Sequence, residues 1–268
     1  MTQRMLCLDL DGTLYGSDHQ VSQANAEAVA AASKAGYVVA LCSGRGPTMY
    51  VPTAEELGIN NNLYMVGYNG AVVFELDASG HVMKSLFETR MSATQVEKVL
   101  KLSQGLAVEY DVGEVQHARS YPGEAQRLLE SHAQLVRSTP IVGDLPELGP
   151  DKCQPNKLTV LTSDPKGFVA RAMEQPGFTD DGIGVVVGGP YWVETVNLHA
   201  DKEVGIRLLC THLGIKIENC VYFGDGDNDA TSLKACGLGI AMAQAKPEAK
   251  EAANKVSQWS NDEDAVAK

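Results

Sequence analysis

The chain has 268 residues, 44% of them hydrophobic, and a formal net charge of −12. That length fits one large or two modest domains, with apolar residues enough for a sizeable core. The negative charge argues against nucleic acid or an anionic membrane as partner, and no apolar run approaches the length needed to cross a bilayer.

The first element expected is a buried strand at 6–8, ending in Asp9-Leu10-Asp11-Gly12. In extended backbone the i, i+2 spacing puts both carboxylates on one side, and Gly12 lets the chain turn away from them. Two such groups repel unless a cation or a proton separates them. A helix at 22–35 follows, with Ser22 as N-cap and Gly36 beyond its end, then a strand at 37–42. Residues 47–57 read as a helix stopped by Gly58, and 63–66 as a third strand. This β-α-β-α-β order predicts a parallel, doubly wound, Rossmann-like sheet with right-handed crossovers. Asn69-Gly70 between apolar residues signals a hairpin and breaks the alternation.

From 83 to 192 the pattern changes. Helices are expected at 92–102, 123–132 and 168–174, strands at 107–110, 158–161 and 184–187, and a Gly/Pro-rich loop at 143–155. This reads as an inserted mixed α/β domain, leaving 1–82 and 193–268 to form one core. The alternation then resumes with a helix at 202–213, a strand at 220–223, a helix at 228–235, a strand at 238–242 and a helix at 247–253. Each chemically interesting residue follows a buried strand or opens a helix. In open α/β sheets that gathers them in the crevice at the carboxyl ends of the strands.

Asp225, Asp227 and Asp229 add three carboxylates to that crevice, and an all-oxygen set with Asp9 and Asp11 suits Mg²⁺. A calcium loop is excluded, because Ala230 stands where it needs Gly and Cys236 where it needs Glu. Lys202 opens a helix, where the dipole disfavours a cation, so a role in neutralising a bound anion is expected. Ser43 and Gly44 offer a hydroxyl and close backbone approach to a phosphate; Arg45 suits either substrate or an ion pair. His19, His81, His117, His132 and His212 show no ligand spacing. The six cysteines show no CxxC spacing, and Cys7, Cys42 and Cys220 sit in apolar runs. With no signal-peptide pattern at the start, the expectation is a cytoplasmic protein with buried, reduced thiols and no zinc site.

The segments Asp9-Leu10-Asp11-Gly12-Thr13, Ser43-Gly44-Arg45, Lys202 and Gly224-Asp225-Gly226-Asp227-Asn228-Asp229 resemble, in order, the motifs of the haloacid dehalogenase superfamily. Asn69-Gly70-Ala71, Ala241-Met242 and Asp262-Glu263-Asp264 resemble its Cof-like branch of sugar-phosphate phosphatases. The resemblance implies an inserted α/β cap and a Mg²⁺-dependent phosphatase acting on small phosphorylated metabolites. It implies Asp9 as nucleophile and Asp11 as acid/base. Ser43, Gly44, Arg45, Lys202 and Asn228 would bind phosphate or substrate. Asp9, the Asp11 carbonyl and Asp225 would hold the metal, and Asp229 would support the metal or Lys202. Asp227 falls at a variable position. Ala265 stands where the branch has Gly. A phosphomutase, a dehalogenase and a non-catalytic metal-dependent binding protein are the alternatives. Glu109, Tyr110, Arg119 and Tyr121 are expected as cap specificity residues from polarity and loop position.

Overall fold

The computed structural model describes residues 3–47, 50–112, 114–136, 138–144, 154–176, 178 and 180–268. β1 (Met5–Asp9) is buried throughout. A tight turn over Leu10–Leu14 has Gly12 at φ +78°, a conformation that favours glycine. α1 (Gln23–Lys34) starts where the Ser22 side chain accepts the Asn25 N–H at 3.1 Å, a cap that contributes about 1 kcal/mol. β2 (Val38–Cys42), α2 (Val51–Leu57) and β3 (Leu63–Gly67) follow. α2 begins later than the sequence pattern suggests because Pro52 belongs in a first helical turn. After a reversal at Tyr68–Gly70, β4 (Val72–Leu76) and β5 (Val82–Glu88) run antiparallel.

The chain then enters a second compact unit, Thr89–Ala200. Its elements are α3 (Ala93–Leu102), β6 (Ala107–Val112), β7 (Val115–Arg119), α4 (Glu124–Leu135), β8 (Ile141–Val142), β9 (Lys157–Leu161), α5 (Pro165–Met173), β10 (Ile183–Gly189) and β11 (Trp192–Asn197). Ser92 and Gln95 form a reciprocal cap on α3. The sheet order is β10-β11-β9-β6-β7-β8, antiparallel except between β7 and β8. Val96 and Val99 of α3 and Phe168 and Ala172 of α5 pack on Val108, Leu158, Val160 and Val193. Ala125 and Leu129 of α4 pack with Ala107, Ala118 and Leu161. Most of the Gly/Pro-rich loop expected at 143–155 lies outside the described residues.

Back in the first unit come α6 (Lys202–Leu213), β12 (Cys220–Gly224), α7 (Ala230–Ala235), β13 (Leu238–Ala241), α8 (Pro247–Ala252) and β14 (Lys255–Val256). Among the described residues this sheet has eight strands in the order β14-β13-β12-β1-β2-β3-β4-β5. It is parallel from β14 to β3. Met5, Cys7, Val38, Ala40 and Val66 on one face pack against Ile206 and Leu209 of α6, Leu233 of α7 and Ala249 of α8. Leu6, Leu8, Val39 and Leu41 point the other way and are buried too, so both faces are covered.

The units divide at Glu88/Thr89 and Ala200/Asp201 rather than at 82/83 and 192/193. β5 belongs to the core because it pairs with β4, and β11 to the insert because it pairs with β9 and β10. Among the described residues no helix is long and apolar enough to cross a membrane.

Candidate active site

Asp9 is the last residue of β1 and points to the α6 face, the same side as Cys7. Lys202, the first residue of α6, donates from Nζ to Asp9 Oδ1 at 2.6 Å and to Asp229 Oδ1 at 2.7 Å. All three side chains are buried. The unfavourable dipole at this helix start is outweighed by two carboxylates in direct contact. Burial works against the charge on Lys202, but Asp229 and Asp9 win and its pKa is raised. Asp229 also accepts the Tyr222 hydroxyl at 2.6 Å, and its Oδ2 accepts the N–H groups of Asp225 at 2.9 Å and Gly226 at 2.8 Å. It therefore ties β12, the following loop and α6 together. Burial and then Asp229 push Asp9 well up, against the pull of Lys202. The same two causes push Asp225 up to about 6.

Gly12 lies against this cluster: a Cβ there would sit 2.5 Å from Asp225 Oδ2. Asp11 turns outward, and Arg45 donates to it from Nε at 2.8 Å and from an Nη at 2.5 Å. The guanidinium also lies 5.1 Å from the centre of the Tyr15 ring. Burial pushes Asp11 up, but the hydrogen bonds and charge of Arg45 outweigh it and hold the carboxyl below its usual range. Arg45 thus closes an ion pair with the acid/base candidate. Ser43 is buried just past β2, and its Oγ accepts the Arg45 N–H at 3.2 Å. Gly44 follows it at the same strand end. Asn228 is exposed and donates to Asn69 Oδ1 at 2.9 Å. Gly70 packs so closely on the Asp201 carbonyl that no side chain fits, which seats the start of α6. Asp227 is exposed and pairs with Lys246 at 2.7 Å.

Oxygens of Asp9, Asp225 and Asp229 lie within 4.8 Å of one another. Three carboxylates share one ammonium, so negative charge is left over, most visibly at Asp225. These hard anionic donors fit a divalent cation with oxygen preference. Asp229 already accepts four hydrogen bonds, so Asp9 and Asp225 have the greater capacity to ligate. The Asp11 side chain stands apart from the cluster, on Arg45.

Sequence reasoning missed Tyr222, whose signal was one hydroxyl in an apolar strand seven residues before Asp229. It also missed His19, whose Nδ1 is 3.7 Å from Asp11. Two expected specificity residues need correction. Glu109 and Tyr110 are not loop residues but buried positions in β6. Glu109 meets His132 Nδ1 at 2.5 Å, and Tyr110 stacks on His117. Strand alternation buries both under helices. Arg119 ends β7 and donates to the Ser103 carbonyl, while Tyr121 is exposed beside it.

A profile of haloacid dehalogenase-like hydrolases matches residues 6–268. YxeH of Bacillus subtilis (strain 168) is 28% identical over 281 residues, covering 98% of this chain and 96% of its own. The pyridoxal phosphate phosphatase YbhA of Escherichia coli (strain K12) is 24% identical, covering 96% of this chain and 93% of its own. A haloacid dehalogenase-like hydrolase from Bacteroides thetaiotaomicron has the same fold. Its TM-score is 0.85 at 24% identity, over 99% of this chain and 97% of that one.

Proposed function

The chain belongs to the haloacid dehalogenase-like hydrolases, and from that premise we propose that it is a Mg²⁺-dependent phosphatase of small phosphorylated metabolites, sugar phosphates foremost. One observation carries the reading: the buried Lys202 amine joins Asp9 and Asp229 at the strand ends, with Asp225 alongside. Lys202 holds Oδ1 of Asp9, leaving Oδ2 to attack phosphorus and form an aspartyl-phosphate. Asp11, released from Arg45, protonates the leaving oxygen and then takes a proton from the water that cleaves the acyl phosphate. Ser43, the Gly44 backbone, Lys202 and Asn228 hold the phosphoryl oxygens, and Arg45 binds substrate once it leaves Asp11. Asp9, Asp225 and the Asp11 carbonyl, with Asp229 in support, would hold Mg²⁺, which neutralises phosphoryl charge when bound. The substrate class is supported by the relative that acts on pyridoxal phosphate.

The test is phosphate release from a panel of sugar phosphates and pyridoxal phosphate, with Mg²⁺ and with chelator. The expected result is Mg²⁺-dependent release that disappears in Asp9→Asn. No release from any compound with Mg²⁺ present would overturn the reading.

A further inference from the structure

Five of the six cysteines, scattered in sequence, converge in the core of the first unit. Cys7 of β1, Cys42 of β2 and Cys220 of β12 lie on the α6 face of the sheet, with Cys210 of α6 and Cys236 after α7 packed above them. Cys7 interacts with Cys42, Cys220 and Cys236. Cys210 Sγ lies 3.4 Å from Cys220 Sγ.

Both cysteines are buried, Cys210 at 4% exposure and Cys220 at 1%. Exposed Thr211 and His212 lie in the last turn of α6 just after Cys210, and exposed Lys216 and Glu218 lie between α6 and β12. Cys220 Sγ is 3.8 Å from the Lys216 carbonyl, and the charges of Arg207 and Glu218 act on Cys210. Cys7 and Cys42 are fully buried by comparison. The two sulfurs need to close only from 3.4 Å to the roughly 2.0 Å of a disulfide.

We propose that Cys210 and Cys220 form a redox modification site, converted to a reversible disulfide by hydrogen peroxide. Cys210, slightly more exposed than Cys220, gives up its proton and attacks one peroxide oxygen; the O–O bond breaks, the other oxygen takes up that proton and leaves as water, and a sulfenic acid forms. Cys220 displaces the sulfenic oxygen as a second water and closes the S–S bond. The two sulfurs together lose two electrons, and peroxide is reduced to two waters. The bond ties the helix that opens with Lys202 to the strand that leads into Asp225. Contact with Cys220 and then burial hold the Cys210 proton, so oxidation is slow.

Each of these cysteines falls on its own tryptic peptide, because Arg207 and Lys216 bracket Cys210 and Lys234 separates Cys220 from Cys236. Reduced protein is treated with excess peroxide, alkylated after denaturation and mapped by mass spectrometry. Wild type and Cys153→Ser are compared, the latter removing the thiol that lies outside the described residues. The expected product is a 208–216 peptide joined to 217–234, two hydrogen atoms lighter than the reduced pair, with unchanged far-UV circular dichroism and full reversal by dithiothreitol. Cys7, Cys42 and Cys236 should be recovered alkylated, and Cys210→Ala should abolish the link. The proposal fails if Cys210 and Cys220 are recovered unlinked, singly oxygenated, or joined to other cysteines.

Discussion

Asp225→Asn should stabilise the metal-free protein at neutral pH while removing its activity. Asp225 is the carboxylate of the cluster that Lys202 does not touch. Lys202 is committed to Asp9 and Asp229, Lys246 to Asp227, and Thr13 Oγ1 reaches Asp225 only at 3.5 Å. Its pKa is raised from 3.8 to about 6, so the native state holds this proton more tightly than the unfolded chain does. The stabilisation from that proton is present below pH 3.8 and is lost as pH rises to about 6. At about 1.4 kcal/mol per pH unit the interval amounts to about 3 kcal/mol, and solvent screening at this partly exposed group lowers the expectation to roughly 1–3 kcal/mol. Asn is nearly isosteric and carries no charge, so urea unfolding in chelator at pH 7.5 should show that gain. The advantage should fade as pH falls through 6 toward 4, where wild-type Asp225 is protonated, and should shrink when Mg²⁺ is added. A variant less stable than wild type in chelator at pH 7.5, or a gain unchanged at acid pH, would refute the electrostatic account.

Asp9→Asn should lower turnover by roughly 10³-fold or more without changing far-UV circular dichroism, since an amide keeps the shape but not the nucleophile; near-normal phosphate release would rule out Asp9. Lys202→Met should cost about 3–5 kcal/mol in urea unfolding, because it leaves buried carboxylates without their cation; a loss below about 1 kcal/mol would contradict the buried bridge. Arg45→Gln should raise the Asp11 pKa by removing the group that holds it down. The pH–rate limb that reports Asp11 should therefore move to higher pH, and an unmoved limb would separate Asp11 from proton transfer. Ca²⁺ should bind in place of Mg²⁺ and inhibit, since it tolerates looser, higher coordination; comparable phosphate release with either ion would disprove that.

Much of the fold is legible locally. Ser22 caps α1, Ser92 caps α3, Gly58 stops α2, and α6 starts at Lys202, because caps, glycines and apolar periodicity act within a few residues. The i, i+2 aspartates at a strand end and the later acidic loop marked the candidate site for the same reason. Tertiary structure decided the pairings. Lys202 and Asp9 are 193 residues apart and meet only because β1 and β12 are neighbours and α6 crosses over that face. Sequence left Arg45 between substrate and ion pair, and the fold turned it onto Asp11. Glu109 and Tyr110 looked like exposed polar groups until sheet pairing buried them. Cysteine spacing gave no hint that five thiols share one core, since strand register and crossover, not separation along the chain, set which side chains touch.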